Sequence, residues 1–164
     1  MNDDRPEVDH APDQPPGDPV NDVHREFLAS HPQVFLVVRR PDDTPMGYPM
    51  VGRWADGALE FSTYRKSAKV RHVEADPRVC CLCVPRDSEL EHRVLAAWGR
   101  GFIEMAGRDR WRAAIEGRET APAGIAVPDS VRAKVADRLA TSKRVVLRVE
   151  LESAAFVRGA HGLR

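Results

Sequence analysis

The stretch Phe61-Ser-Thr-Tyr-Arg-Lys-Ser-Ala-Lys-Val-Arg-His-Val-Glu-Ala-Asp-Pro-Arg-Val carries the densest set of groups able to do chemistry. Its alternating start reads as a strand that ends on two hydroxyls, Ser62 and Thr63. A basic loop, Tyr64-Arg65-Lys66, leads into helical spacing whose first turn holds Ser67 and Lys69, with Arg71 following. The first amides of a helix lack intrahelical acceptors and lie at the positive end of its dipole, so they suit an anion, a phosphate above all. Hydroxyls add directed donors, and Lys69 and Arg71 add full charge. The same residues also fit a capped surface helix with solvated bases, and their spacing alone leaves both readings open.

Other reactive types are less well arranged. In Cys80-Cys81-Leu82-Cys83 a strand sends only Cys81 and Cys83 to the same side, and no second cluster completes four metal ligands. Buried strand thiols are the simpler reading, and no metal site is expected. The six histidines show no paired i, i+4 ligand spacing; His72 could reach a ligand from its helix but reads as a surface residue. Gly99-Arg100-Gly101 is followed by Glu104 rather than a third glycine and by no helix, so it reads as a strand bulge. Neither a nucleophile elbow nor a phosphate-binding Gly-Lys-Ser/Thr loop occurs.

These groups must be positioned by strands. Val34–Arg40 is β-branched and aromatic, a turn-rich segment follows, and a second strand is expected over Tyr48–Trp54. Asp56-Gly57 predicts a tight hairpin into a third strand, Ala58–Thr63, with Leu59, Phe61 and Thr63 on one face. Val79–Val84, Val94–Glu104 and Arg144–Val157 supply three more strands. Helical patterns occupy Val23–His31, Ser67–Ala75, Asp109–Glu116 and Pro128–Thr141. The expected class is mostly β with peripheral helices, a six-stranded antiparallel barrel rather than a doubly wound sheet.

The chain has 164 residues, 42% of them hydrophobic, which is enough for one domain with a real core. Its net charge of zero is a sum of unlike parts. Residues 1–22 hold seven acids, one base and five prolines and are expected to be a disordered head; residues 23–164, the folded domain with a helical insert over 107–142, carry an excess of six bases. Aromatic residues are not interleaved with the basic ones, so nucleic-acid binding is not expected. No apolar run is long enough for a helical membrane span. The acidic start and the three cysteines, two of them adjacent, point to the cytoplasm.

The order of strand, Asp-Gly hairpin, strand ending Phe61-Ser62-Thr63, Ser67-x-Lys69-x-Arg71 and Asp76-Pro77-Arg78-Val79 resembles the flavin-binding split-barrel family, the pyridoxamine 5′-phosphate oxidase-like proteins. The resemblance runs over roughly Phe27 to Glu104 and the closing strand Arg144–Val157. It implies a split β-barrel, a homodimer with the cofactor at the interface, and oxidoreductase chemistry on an unidentified small molecule. Pro49, Met50, Val51 and Arg53 would line the ring and phosphate side; Ser62, Thr63, Ser67 and Lys69 match the phosphate-facing positions, with Arg71 as an accessory charge. The implied cofactor is flavin mononucleotide (FMN), with deazaflavin coenzyme F420 in a reductase of the same fold as the alternative. A non-enzymatic binder of flavin or haem, the latter through His161, is the lesser reading. Two departures stand out: the tail Phe156–Arg164 lacks the tryptophan that grips the substrate phosphate in pyridoxamine phosphate oxidases, which counts against vitamin B6 oxidation, and the 107–142 insert is extra. No side chain is assigned a catalytic role, because the redox chemistry of such proteins belongs to the cofactor ring.

Overall fold

The structure, a computed structural model, describes residues 17–85, 93–105, 109, 111, 112 and 128–158. Eight strands and three helices are formed among them: β1 (Asp18–Pro19), α1 (Asp22–Ser30), β2 (Gln33–Arg39), β3 (Pro45–Val51), β4 (Arg53–Ala55), β5 (Ala58–Tyr64), α2 (Ala68–Ala75), β6 (Arg78–Cys83), β7 (Arg93–Glu104), α3 (Asp129–Ala140) and β8 (Arg144–Arg158). Every pairing is antiparallel, in the order β3-β2-β6-β7-β8-β5-β4, with β1 added to β8.

The expected six strands are all present, and two differences have local causes. The second strand is divided into β3 and β4 at Gly52, whose amide turns to the Pro32 carbonyl at 2.7 Å. Because β3 and β4 are consecutive in the chain yet lie at opposite ends of the sheet order, the sheet must curl until its two edges approach. Any side chain at Gly52 would meet Leu59 and Phe61 at 3.0 Å inside that bend. The second difference is β1: Asp18 and Pro19, within the region expected to be a disordered head, pair with Ala154 and Ser153. Residues 1–16 of that head, residues 106–108, 110 and 113–127 of the insert region, with most of the helix expected over Asp109–Glu116, and the tail bearing His161 lie outside the described residues.

The Asp56-Gly57 turn forms as its sequence requires, with φ of 48° and 75° joining β4 to β5. The bulge expected at Gly99 is also present: Trp98 pairs with Ser153 and Gly99 with Leu151, leaving Glu152 as the extra residue. Gly99 is needed there, since a Cβ would lie 2.1 Å from the Glu150 carbonyl oxygen.

Strand alternation fills the barrel with Val34, Leu36, Val38, Leu59, Phe61, Cys81, Cys83, Leu95, Leu147 and Val149. Helix α1, started by a capping box between Asn21 and His24, closes one end with Phe27 and Leu28. Helix α2 inserts Val70 and Val73 at the other, and Val73 packs over Gly101, where a Cβ would approach it to 2.8 Å. This seating of α2 places its first turn beside the end of β5.

Candidate functional site

At the end of β5 the chain turns through Tyr64–Lys66, closed by the Ser67 amide on the Tyr64 carbonyl at 3.0 Å. Ser67 is the N-cap of α2, with extended backbone, but its side chain makes no capping hydrogen bond. The hydroxyl instead lies 3.5 Å from that of Thr63, so the first amides of α2 have no side-chain cap. Thr63 is buried and Ser62 half-buried.

Lys69, in the first turn of α2, is half-buried, with its ammonium 5.2 Å from the centre of the Tyr48 ring. Tyr48 comes from β3 and exchanges a 3.3 Å hydrogen bond with Nδ1 of His72, one turn along α2. Burial, and then the charge of Arg144, hold the Lys69 ammonium below its ordinary pKa of 10.5. Arg144 opens β8 directly across from Tyr64. Its Nε donates to the Ser62 hydroxyl at 2.8 Å and its Nη2 to the Ser62 carbonyl at 2.6 Å, while its guanidinium lies 4.7 Å from the centre of the Tyr64 ring. Arg138 of α3 covers the same ring and donates to its phenol oxygen.

Of the sequence-derived set, Thr63 and Ser67 meet, Lys69 lies in the first turn of α2 against Tyr48, and Ser62, one residue before Thr63 on β5, is held by Arg144 instead. Arg71 is exposed and donates to the Lys66 carbonyl at 2.9 Å, which braces the turn from outside. Met50 and Tyr48 face the core, whereas Pro49 and Val51 alternate to the outer face, where Phe35 sits in register with Pro49. Arg53 is in register with Glu60, which is fully buried and bonded to Arg148 at 3.1 Å. Arg148 also approaches Glu104 and Glu150, each at 3.8 Å, and ties the hairpin through the Asp56 carbonyl at 2.9 Å. Arg53 therefore belongs to a charged row beneath the hairpin.

Arg144, Tyr48 and His72 were not assigned to the site from sequence. Arg144 reads as an ordinary strand start until β8 is paired with β5, a contact spanning about eighty residues of chain. The cysteines behave as buried strand thiols: Cys81 and Cys83 are fully enclosed, and burial pushes Cys80 to about 11 and Cys83 to about 12. Among the described residues no three His, Cys, Asp or Glu side chains are placed to hold a metal ion, and no helix is long and apolar enough to cross a membrane.

No family model and no curated protein matches the chain. Solved structures do. A putative pyridoxamine 5′-phosphate oxidase from Listeria innocua superposes with a TM-score of 0.59 at 15% identity, over 82% of this chain and 94% of that one. The chain has the split-barrel fold. An F420 reductase matches with a TM-score of 0.57 at 23% identity, over 79% of this chain and 94% of the other. A FAD-binding protein from Mesorhizobium loti matches with a TM-score of 0.57 at 14% identity, over 85% and 95% of the two chains.

Proposed function

We propose that this split-barrel protein binds FMN, with its phosphate at the uncapped start of α2, and acts as a flavin-dependent oxidoreductase on a small molecule. One observation carries the reading: the first amides of α2 have no side-chain cap, the Thr63 and Ser67 hydroxyls meet at that helix start, and Lys69 lies in its first turn. The likeness to proteins described as pyridoxamine phosphate oxidase, F420 reductase and FAD-binding supports a ligand of the flavin type. A bound flavin supplies hydride or electron transfer through its ring. The residues of this chain hold and orient it: Lys69 neutralises phosphate charge, the hydroxyls and α2 amides fix the phosphate direction, and Tyr48 packs against Lys69. The F420 reductase, at 23% identity, supports deazaflavin coenzyme F420 as a second reading of the same cradle.

The functional unit in this reading is a homodimer. Register aligns Pro49, Phe35, Leu82, Ala96 and Ala155 in one row across five strands, on the face turned away from the core. Phe35 and Val51 are each 46% exposed there. A sheet apolar on both faces calls for a cover, and a second copy would bury this row. The test is titration with FMN and F420, followed by size analysis at several concentrations. Binding of one cofactor by a dimer supports the reading; a monomer that binds neither refutes it.

A further inference from the structure

We infer that the basic face formed where the β5–α2 turn meets the α3–β8 turn is a docking surface for this protein's own acidic head, residues 1–16. The two turns are joined in space. The Arg65 amide donates to the Lys143 carbonyl at 3.1 Å, and the guanidiniums of Arg144 and Arg138 lie 4.7 and 5.3 Å from the centre of the Tyr64 ring. Arg71 donates to the Lys66 carbonyl at 2.9 Å and so belongs to the same turn. Arg65, Lys66, Arg71 and Lys143 are exposed. Residues 64–71 hold four bases and no acid, and residues 138–144 three bases and no acid, with Glu74 and Asp137 as the flanking acids. Among the described residues, none of these bases is ion-paired with a carboxylate.

A surface of one sign attracts a segment of the other. Residues 1–16 supply it, with Asp3, Asp4, Glu7, Asp9 and Asp13 against one base, Arg5. The tether is long enough. Asp18 pairs with Ala154 on β8, ten positions from Arg144, a separation of about 33 Å at about 3.3 Å per residue. Since β1 is antiparallel to β8, its N-terminal end points away from Arg144. Gly17, with φ of 100°, bends the chain out of the strand at that point. Asp4 and Asp3, 14 and 15 positions before Asp18, have about 46–50 Å of chain with which to return. Covalent attachment also raises the local concentration of the head far above that of a free partner, so weak contacts suffice. Exposed ion pairs are individually weak and screened by salt, so the contact forms at low salt and opens as salt rises.

The experiment places a nitroxide on the N-terminal amine of the full chain and reads paramagnetic broadening of the backbone amide signals. Broadening should concentrate in residues 64–71 and 138–144 at low salt and weaken by about threefold or more at about 1 M salt, where the screening length falls to about 3 Å. Asp3→Asn/Asp4→Asn/Glu7→Gln, which leaves the folded domain untouched, should weaken it to the same degree, and so should Arg65→Glu/Lys66→Glu. Broadening confined to the residues around β1, or unmoved by salt and by both variants, overturns the proposal. A second measurement asks whether the face is already covered. Phosphatidylserine vesicles and a single-stranded oligonucleotide should bind the neutralised-head variant more strongly than the unaltered chain, or bind neither; equal binding to both forms would show an open face and overturn the proposal as well.

Discussion

Replacing Lys69 tests the cradle with the fewest side effects. Its ammonium is half-buried, lies over Tyr48 and makes no ion pair among the described residues, so its removal breaks no internal salt bridge. At about 4 Å and an effective dielectric constant of about 20, a single charge pair is worth about 4 kcal/mol before desolvation. The ammonium is already partly desolvated, as its lowered pKa records, so part of that cost is met before the ligand arrives. Subtracting the remainder leaves about 1.5–3 kcal/mol, the usual net worth of a charged hydrogen bond, or about 10- to 150-fold in affinity. Lys69→Met, which keeps an apolar stem against Tyr48, should show this loss without a change in melting temperature. Lys69→Arg should keep most of the affinity. Titration of apo-protein with FMN, followed by flavin fluorescence at two salt concentrations, reads the effect. Equal dissociation constants for the unaltered protein and Lys69→Met would refute the cradle, as would equal losses for FMN and riboflavin.

Further outcomes follow from the same geometry. Because the free Lys69 ammonium loses its proton below pH 10.5, FMN affinity should be level through neutral pH and fall as pH rises through that lowered value; Lys69→Arg should flatten the decline, as a pH series of titrations would show. Arg148→Ala withdraws the guanidinium bonded to fully buried Glu60 and should destabilise the fold by about 3 kcal/mol or more, with Glu60→Leu/Arg148→Met recovering much of it in urea unfolding. Gly99→Val drives a side chain into the Glu150 carbonyl and should cost about 2 kcal/mol or more in the same assay, whereas Arg71→Ala, on the outside of the turn, should stay within about 0.5 kcal/mol.

What could be read from the sequence was what nearest neighbours decide. Asp56-Gly57 makes its turn because two adjacent residues accept positive φ, and alternation in Ala58–Thr63 was enough to place Leu59, Phe61 and Thr63 inward. The meeting of Thr63 with Ser67 was legible for the same reason, since only the turn between one strand end and one helix start separates them. Features set by distant chain were not. Asp18 and Pro19 become a strand only because β8 offers them an edge. Glu60 gives no sign in sequence that Arg148 will bury it, and Arg144 meets Ser62 and Tyr64 only through the β5–β8 register. The break at Gly52 arises from the curl that crowds Leu59 and Phe61 beneath it, which local propensity does not encode.

The central claim is that this barrel holds a flavin by its phosphate at the start of α2. Its most direct measurement is the equilibrium titration of the purified protein, stripped of any bound cofactor, with FMN and riboflavin in parallel. The account predicts saturable binding of FMN, weaker binding of riboflavin by about tenfold or more, and loss of that difference in Lys69→Met. Riboflavin binding as tightly as FMN, or neither binding at all, would contradict it.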